Sequence, residues 1–104
     1  MSKAHIDLEE KLLSTTKDKV EEPPQYKVLM HNDHYTTMDF VVQVLETIFN
    51  KPPVEAVQIM LTIHTQGIGM CGSYTAEVAE TKVAHVHLMA KEHGFPLMCS
   101  MEEA

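Results

Sequence analysis

Seven histidines and two cysteines are the residues best suited to metal or nucleophile chemistry, and their spacing limits what they can do. His85 and His87 form an HxH pair inside a stretch of helical periodicity. Residues two apart on a helix point about 200° apart, so this pair cannot hold one ion. His31 and His34 are three apart in a polar turn and could pinch an ion from one side. Structural zinc needs four ligands and catalytic zinc usually three, and the sequence supplies no set that completes this pair. No metal and no cofactor is expected.

Cys71 and Cys99 are too few and too far apart for a CxxC or zinc pattern. As nucleophiles they would need a histidine base in reach and an oxyanion hole. Both lie in apolar, strand-like stretches, where a thiol is usually inert and reduced. The segment GIGMCG (67–72) is glycine-rich but lacks the GK[ST] ending of a phosphate loop. An enzyme is therefore not expected. The remaining cluster is HNDHYTTM (31–38), where Asn32, Asp33 and His34 stand in a row between two apolar stretches. By composition it is either a turn or the edge of a binding site.

The elements around it can be read from pattern. YKVLMH (26–31) is rich in strand formers and predicts a buried strand. Thr36 with Asp39 three residues on fits a capping box. It opens a helix in which Met38, Val41, Val42, Leu45, Ile48 and Phe49 recur at helical spacing. Pro52-Pro53 starts a second helix, with Glu55 in its first turn and Gly67 as its C-terminal cap. Val57, Met60, Leu61 and His64 are expected to share the buried face of that helix. Ile68–Tyr74 predicts a second strand. Thr75 is expected to cap a third helix that ends at Gly94, and Leu97–Glu102 a closing strand. Most of the methionines should be core, with a few lining an adaptable pocket.

The order β-α-α-β-α-β predicts an α+β domain, a three-stranded antiparallel-type sheet packed against three helices. The 104 residues allow one such domain. Residues 26–104 form it, and residues 1–25, charged and ending in EEPPQ, read as a flexible N-terminal extension. The net charge is -7 and arginine is absent. Nucleic acid and anionic membrane surfaces are thus unfavourable partners. The N-terminus has no apolar core of a secretory signal and no run approaches a membrane span, so a cytoplasmic protein is expected.

Three longer segments carry a resemblance: YKVLMHNDHYTTMDFVVQVLETIF (26–49), QIMLTIHTQGIGMCGSYTAEVAETKVAHV (58–86) and PLMCSME (96–102). Together they closely resemble the ClpS family, adaptors that deliver substrates to the ClpA-type AAA+ unfoldase and its ClpP peptidase partner. The stretches ND-x-YT-x-M, IHTQG and TAEVAETK occur in the family's order and spacing. The resemblance implies recognition of proteins that begin with Phe, Tyr, Trp or Leu. It implies that Asn32, Asp33 and His64 engage the free α-amino group, with His34 as a further neighbour of that site. It implies a side-chain pocket of Thr36, Met38, Val41, Met60, Ile63 and Leu97, with Met38 crowding out β-branched residues. It also implies unfoldase contacts at Glu77 and Lys82, and a tail that takes part in substrate handover. Many members carry a second Asp where this chain has His34, and Pro where it has Thr37. The competing readings are a small structural or interaction domain of ribosomal-stalk-like architecture without an amine pocket, and a metal- or cysteine-dependent enzyme.

Overall fold

The computed structural model describes residues 23–104. Residues 1–22 of the expected extension lie outside this range. Six elements follow in the expected order: β1 (Gln25–His31), α1 (Met38–Thr47), α2 (Pro53–Gln66), β2 (Ile68–Thr75), α3 (Ala76–Glu92) and β3 (Met98–Glu103). The sheet order is β2-β1-β3, and both pairings are antiparallel. β1 is thus central, and α3 carries the chain from one edge of the sheet to the other. Strand ends fall within a residue of expectation. Val28 and Met30 of β1 are fully buried, while Lys27, Leu29 and His31 alternate to the opposite face. The helices gather on the Val28–Met30 face and share one core with it. No helix among the described residues is long and apolar enough to cross a membrane.

The pairing of β1 with β2 slips between Val28 and Leu29: Val28 lies opposite Gly72, and Leu29 opposite Met70. Cys71 is therefore the extra residue of a bulge. It turns fully into the core, where Cys99 of β3 is also buried.

α1 begins one residue later than the capping-box reading. The cap is Thr37, whose Oγ1 accepts from the Phe40 N–H at 3.2 Å. The Thr36 side chain is turned to the loop instead, its hydroxyl donating to Asp33 Oδ2 at 2.7 Å. At the other end, Lys82 of α3 donates from Nζ to the Ile48 carbonyl at 2.7 Å. Its ammonium lies 5.1 Å from the Tyr74 ring centroid and 5.7 Å from that of Phe49. A cation at a helix C-terminus answers both the free carbonyl and the dipole. Lys82→Met is expected to lower stability by about 1–2 kcal/mol through the lost charge-assisted bond. Thermal unfolding checks this, and an unchanged Tm would mean the contact contributes nothing.

α2 starts at Pro53, whose missing N–H costs nothing in the first turn. It ends at Gly67, in the left-handed region at φ 89°, with its N–H bonded to the Ile63 carbonyl. Its buried face differs from the expected one. Ala56 and Ile63 are buried, whereas Val57 and Leu61 are 41% and 47% exposed and His64 is exposed. Apolar residues surround most of this helix, so periodicity alone does not choose a face. Thr75 stands at the cap position of α3, but its side chain makes no capping hydrogen bond. The methionines also depart from expectation. Among the described residues only Met30 of the methionines is fully buried; Met38, Met70 and Met98 are among the exposed apolar residues.

Candidate functional site

The β1–α1 loop is built by Asp33. Its Oδ1 accepts from the Tyr35 N–H at 2.8 Å and the Thr36 N–H at 2.7 Å. Its Oδ2 accepts from the Thr36 hydroxyl. This is a side chain standing in for backbone in a tight turn. A carboxylate offers about four acceptor positions, so one on Oδ2 is left for another donor. Burial alone would raise the Asp33 pKa. The bonds from the Thr36 hydroxyl, the Thr36 N–H and the Tyr35 N–H, with His34 nearby, outweigh it and hold the carboxyl below its ordinary 3.8. The depressed value means that Asp33 favours the folded loop at pH above 3.8, and that this contribution fades as pH falls through the folded value.

A second bond places the loop against α2. The Asn32 N–H donates to the Gly67 carbonyl at 2.8 Å. Because Gly67 caps the helix that carries His64, Asn32 and His64 come to one place although they are far apart in sequence.

The result is a cleft of about 200 Å³ between the loop, the start of α1 and the last turns of α2. Asn32, Asp33, His34 and Thr36 line it from the loop. Met38 and Val41 line it from α1, and Met60, Ile63 and His64 from α2. Its composition is graded. Asn32, His34 and His64 are exposed, whereas Val41 and Ile63 are buried at 6% and 2% exposure. Met38, 42% exposed, stands at the rim as the first residue of α1. The cleft therefore has a polar mouth and an apolar floor. Among the described residues Asp33 is the carboxylate lining it, and no lysine lines it. Such a mouth favours a cation beside an apolar group.

The structure thus gathers eight residues named from sequence, and His34 with them. Leu97 is not among the residues that line the cleft; it is buried in the same core as Val41 and Ile63 and borders a groove with His87, Lys91, Phe95 and Met98. Glu77 and Lys82 line a separate shallow depression on α3, Glu77 exposed and Lys82 half-buried. Sequence reasoning missed Gly67 as an acceptor for the loop and Thr37 as the cap. A glycine at a helix end announces its conformation, but nothing announces the partner of its carbonyl.

The metal and nucleophile readings can be checked against the same geometry. His31 Nε2 bonds to Ser100 Oγ at 2.7 Å, which turns it from His34 toward β3. Among the described residues no three His, Cys, Asp or Glu side chains form a metal-binding group. His87 accepts from the backbone N–H of Cys99 at 3.0 Å and not from its thiol. Burial pushes the Cys71 thiol far above its ordinary value, and Cys99 beside it adds to the shift. Burial likewise pushes Cys99 up to about 12, against a smaller lowering by the Ser100 N–H. A thiol must ionise to attack. At pH 8 both cysteines are expected to react with iodoacetamide at least about a hundredfold more slowly in the native protein than in denaturant. Fast native labelling would contradict their placement.

Fold and cleft together define a small α+β domain with a cleft that pairs a carboxylate with apolar side chains. Residues 21–100 match the family model described as ATP-dependent Clp protease adaptor protein ClpS. The chain is similar to the ATP-dependent Clp protease adapter protein ClpS of Desulfatibacillum aliphaticivorans, 57% identical over 98 residues, covering 94% of this chain and 93% of that one. The protein of the same name from Syntrophus aciditrophicus is 59% identical over 86 residues, 83% of this chain and 80% of the relative. The solved structure of Agrobacterium tumefaciens ClpS2 bound to L-phenylalaninamide superposes with a TM-score of 0.77 at 35% identity, covering 80% of this chain and all of that one. The chain belongs to the ClpS family of Clp protease adaptors.

Proposed function

We propose that the cleft binds the free α-amino group and first side chain of proteins that begin with Phe, Tyr, Trp or Leu. The chain then delivers them to a ClpA-type AAA+ unfoldase for degradation by ClpP, in the cytoplasm. The observation that carries this reading is the pairing of the Asp33 carboxylate with the apolar floor of Val41, Met60 and Ile63 in one cleft. The phenylalaninamide held by the solved relative is a ligand with a free α-amine beside an apolar ring.

An α-amino group has a pKa of about 7.7–8.0 and is mostly cationic at pH 7. Asp33 supplies the opposing charge, the Asn32 side-chain carbonyl a neutral acceptor, and His64 an acceptor on one ring nitrogen when neutral. Charge-assisted bonds of this kind contribute about 1.5–3 kcal/mol each. Burial of a Leu or Phe side chain adds about 1.5–3 kcal/mol. Micromolar binding needs about 8 kcal/mol beyond the cost of association, so neither part suffices alone. The receptor therefore reads two features at once.

His34 is this chain's own element at the mouth. It lines the cleft beside Asp33. His34→Asn should change the affinity for a Phe-leading peptide; an unchanged affinity would place His34 outside the binding event.

Phenylalaninamide titrated into the isotope-labelled protein tests the site. Amide shifts are expected at Asn32–Val41 and Met60–His64. Shifts confined to the Leu97 groove would overturn it. For delivery, Glu77 and Lys82 on α3 face the unfoldase in this reading. Glu77 is the cleaner probe, because replacing Lys82 also removes the Ile48 contact. Glu77→Lys should slow degradation of a Phe-leading substrate while peptide affinity stays the same; unchanged degradation would remove Glu77 from the interface.

A further inference from the structure

Gly69 of β2 is buried and lies under Ile63, on the side away from solvent. A Cβ built on Gly69 would sit 2.6 Å from Ile63 Cγ1 and 3.4 Å from its Cδ1. Real carbon atoms do not approach that closely, so Ile63 occupies space that any other residue at 69 would take. Ile63 also lines the cleft. One side chain therefore touches β2 on one side and the ligand space on the other.

We propose that Gly69 is a positioning residue for specificity: its missing Cβ lets Ile63 seat against β2 and keeps the cleft deep enough for an aromatic side chain. This rests on reading the cleft as the receptor for an N-terminal side chain. Two constraints leave the Ile63 side chain as the part that moves. The backbone of α2 is held at its end, since the Gly67 N–H bonds to the Ile63 carbonyl and the Gly67 carbonyl accepts from Asn32. Elsewhere Ile63 meets close-packed core, which yields little. The cleft is the free volume beside it. A methyl at 69 displaces Ile63 toward the cleft and removes about a water's volume, 30 Å³, from it.

The test is a set of peptide titrations on the full chain, with peptides leading with Trp, Phe and Leu and an acetylated Phe peptide. The proteins are wild type, Gly69→Ala, Ile63→Ala and the double variant. Gly69→Ala is expected to lower the Trp-to-Leu affinity ratio by about fivefold or more, the scale of a methylene misfit in an apolar pocket. Ile63→Ala removes Cγ1 and Cδ1, the two side-chain atoms that a Cβ at 69 would meet, so in the double variant the added methyl displaces nothing and the ratio should match that of Ile63→Ala to within about twofold. Ile63→Ala alone enlarges the cleft and should raise the ratio, which carries the test should Gly69→Ala fail to fold.

An unchanged ratio in Gly69→Ala, or in Ile63→Ala if that variant must stand alone, overturns the proposal. So does a double variant that remains as impaired as Gly69→Ala. If the wild type itself does not prefer the free-amine Phe peptide over the acetylated one, the receptor reading falls and this proposal falls with it. If the wild type discriminates and the ratios do not move, only the role of Gly69 is lost.

Discussion

Asp33→Asn is expected to weaken binding of a Phe-leading peptide by about a hundredfold, equivalent to about 2.7 kcal/mol. The substitution separates two roles that the structure joins in one side chain. Asparagine retains an oxygen that can accept from the Tyr35 and Thr36 N–H groups, which Asp33 Oδ1 now serves. The turn can therefore persist. What is lost is the negative charge and the free position on Oδ2. Removing one partner of a charge-assisted bond leaves the other desolvated without compensation, which is why the effect exceeds that of a neutral bond. The acetylated peptide has no cation to lose, so its weak binding should change by less than about threefold in the same variant. Equal losses for both peptides would show that Asp33 acts only by shaping the loop. Asp33→Ala, which removes all three internal bonds, should in addition lower thermal stability.

Met38→Ala should admit peptides that begin with Ile or Val, raising their affinity about tenfold while Leu-leading peptides change less than about threefold. Met38 stands at the rim, where a ligand's Cβ would pass on the way to the floor. A β-branched residue carries two heavy atoms there and Leu or Phe carries one. The thioether is flexible and can adapt to a ring, but it still fills the space beside Cβ. Competition against a fluorescent Phe peptide measures both effects in one plate. Continued rejection of Ile by Met38→Ala would move the gate elsewhere in the cleft.

Much of the fold was legible because its boundaries are written in residues with narrow conformational preferences. Pro52-Pro53 and Gly67 bracket α2 as read, and Gly94 follows directly after the His93 that caps α3. The misreadings arose where two residues could serve and tertiary contact chose between them. Thr36 and Thr37 are both fit to cap α1; Asp33 takes the hydroxyl of the first, leaving the second. The buried face of α2 was misassigned because what selects it is close approach to β2, where Ile63 meets Gly69. The cleft was less legible than the fold. Residue types alone left HNDHYTTM open between a turn and a site, and the structure shows it is the turn and one wall of the cleft together. Naming its members needed the family resemblance, because a backbone bond from Asn32 to Gly67 joins its two halves and sequence has no mark for it. Leu97 marks another limit: its apolar character suits a pocket or a core, and burial does not separate the two, since Val41 and Ile63 share its core and also line the cleft.

The central claim is that a free α-amine and an apolar first side chain are read together in the cleft. Its most direct measurement is a paired titration by fluorescence anisotropy, with one peptide sequence beginning with Phe, bearing either a free or an acetylated N-terminus. The account predicts micromolar or tighter binding of the free peptide and binding at least about a hundredfold weaker for the acetylated one. Equal affinities for the two would contradict it.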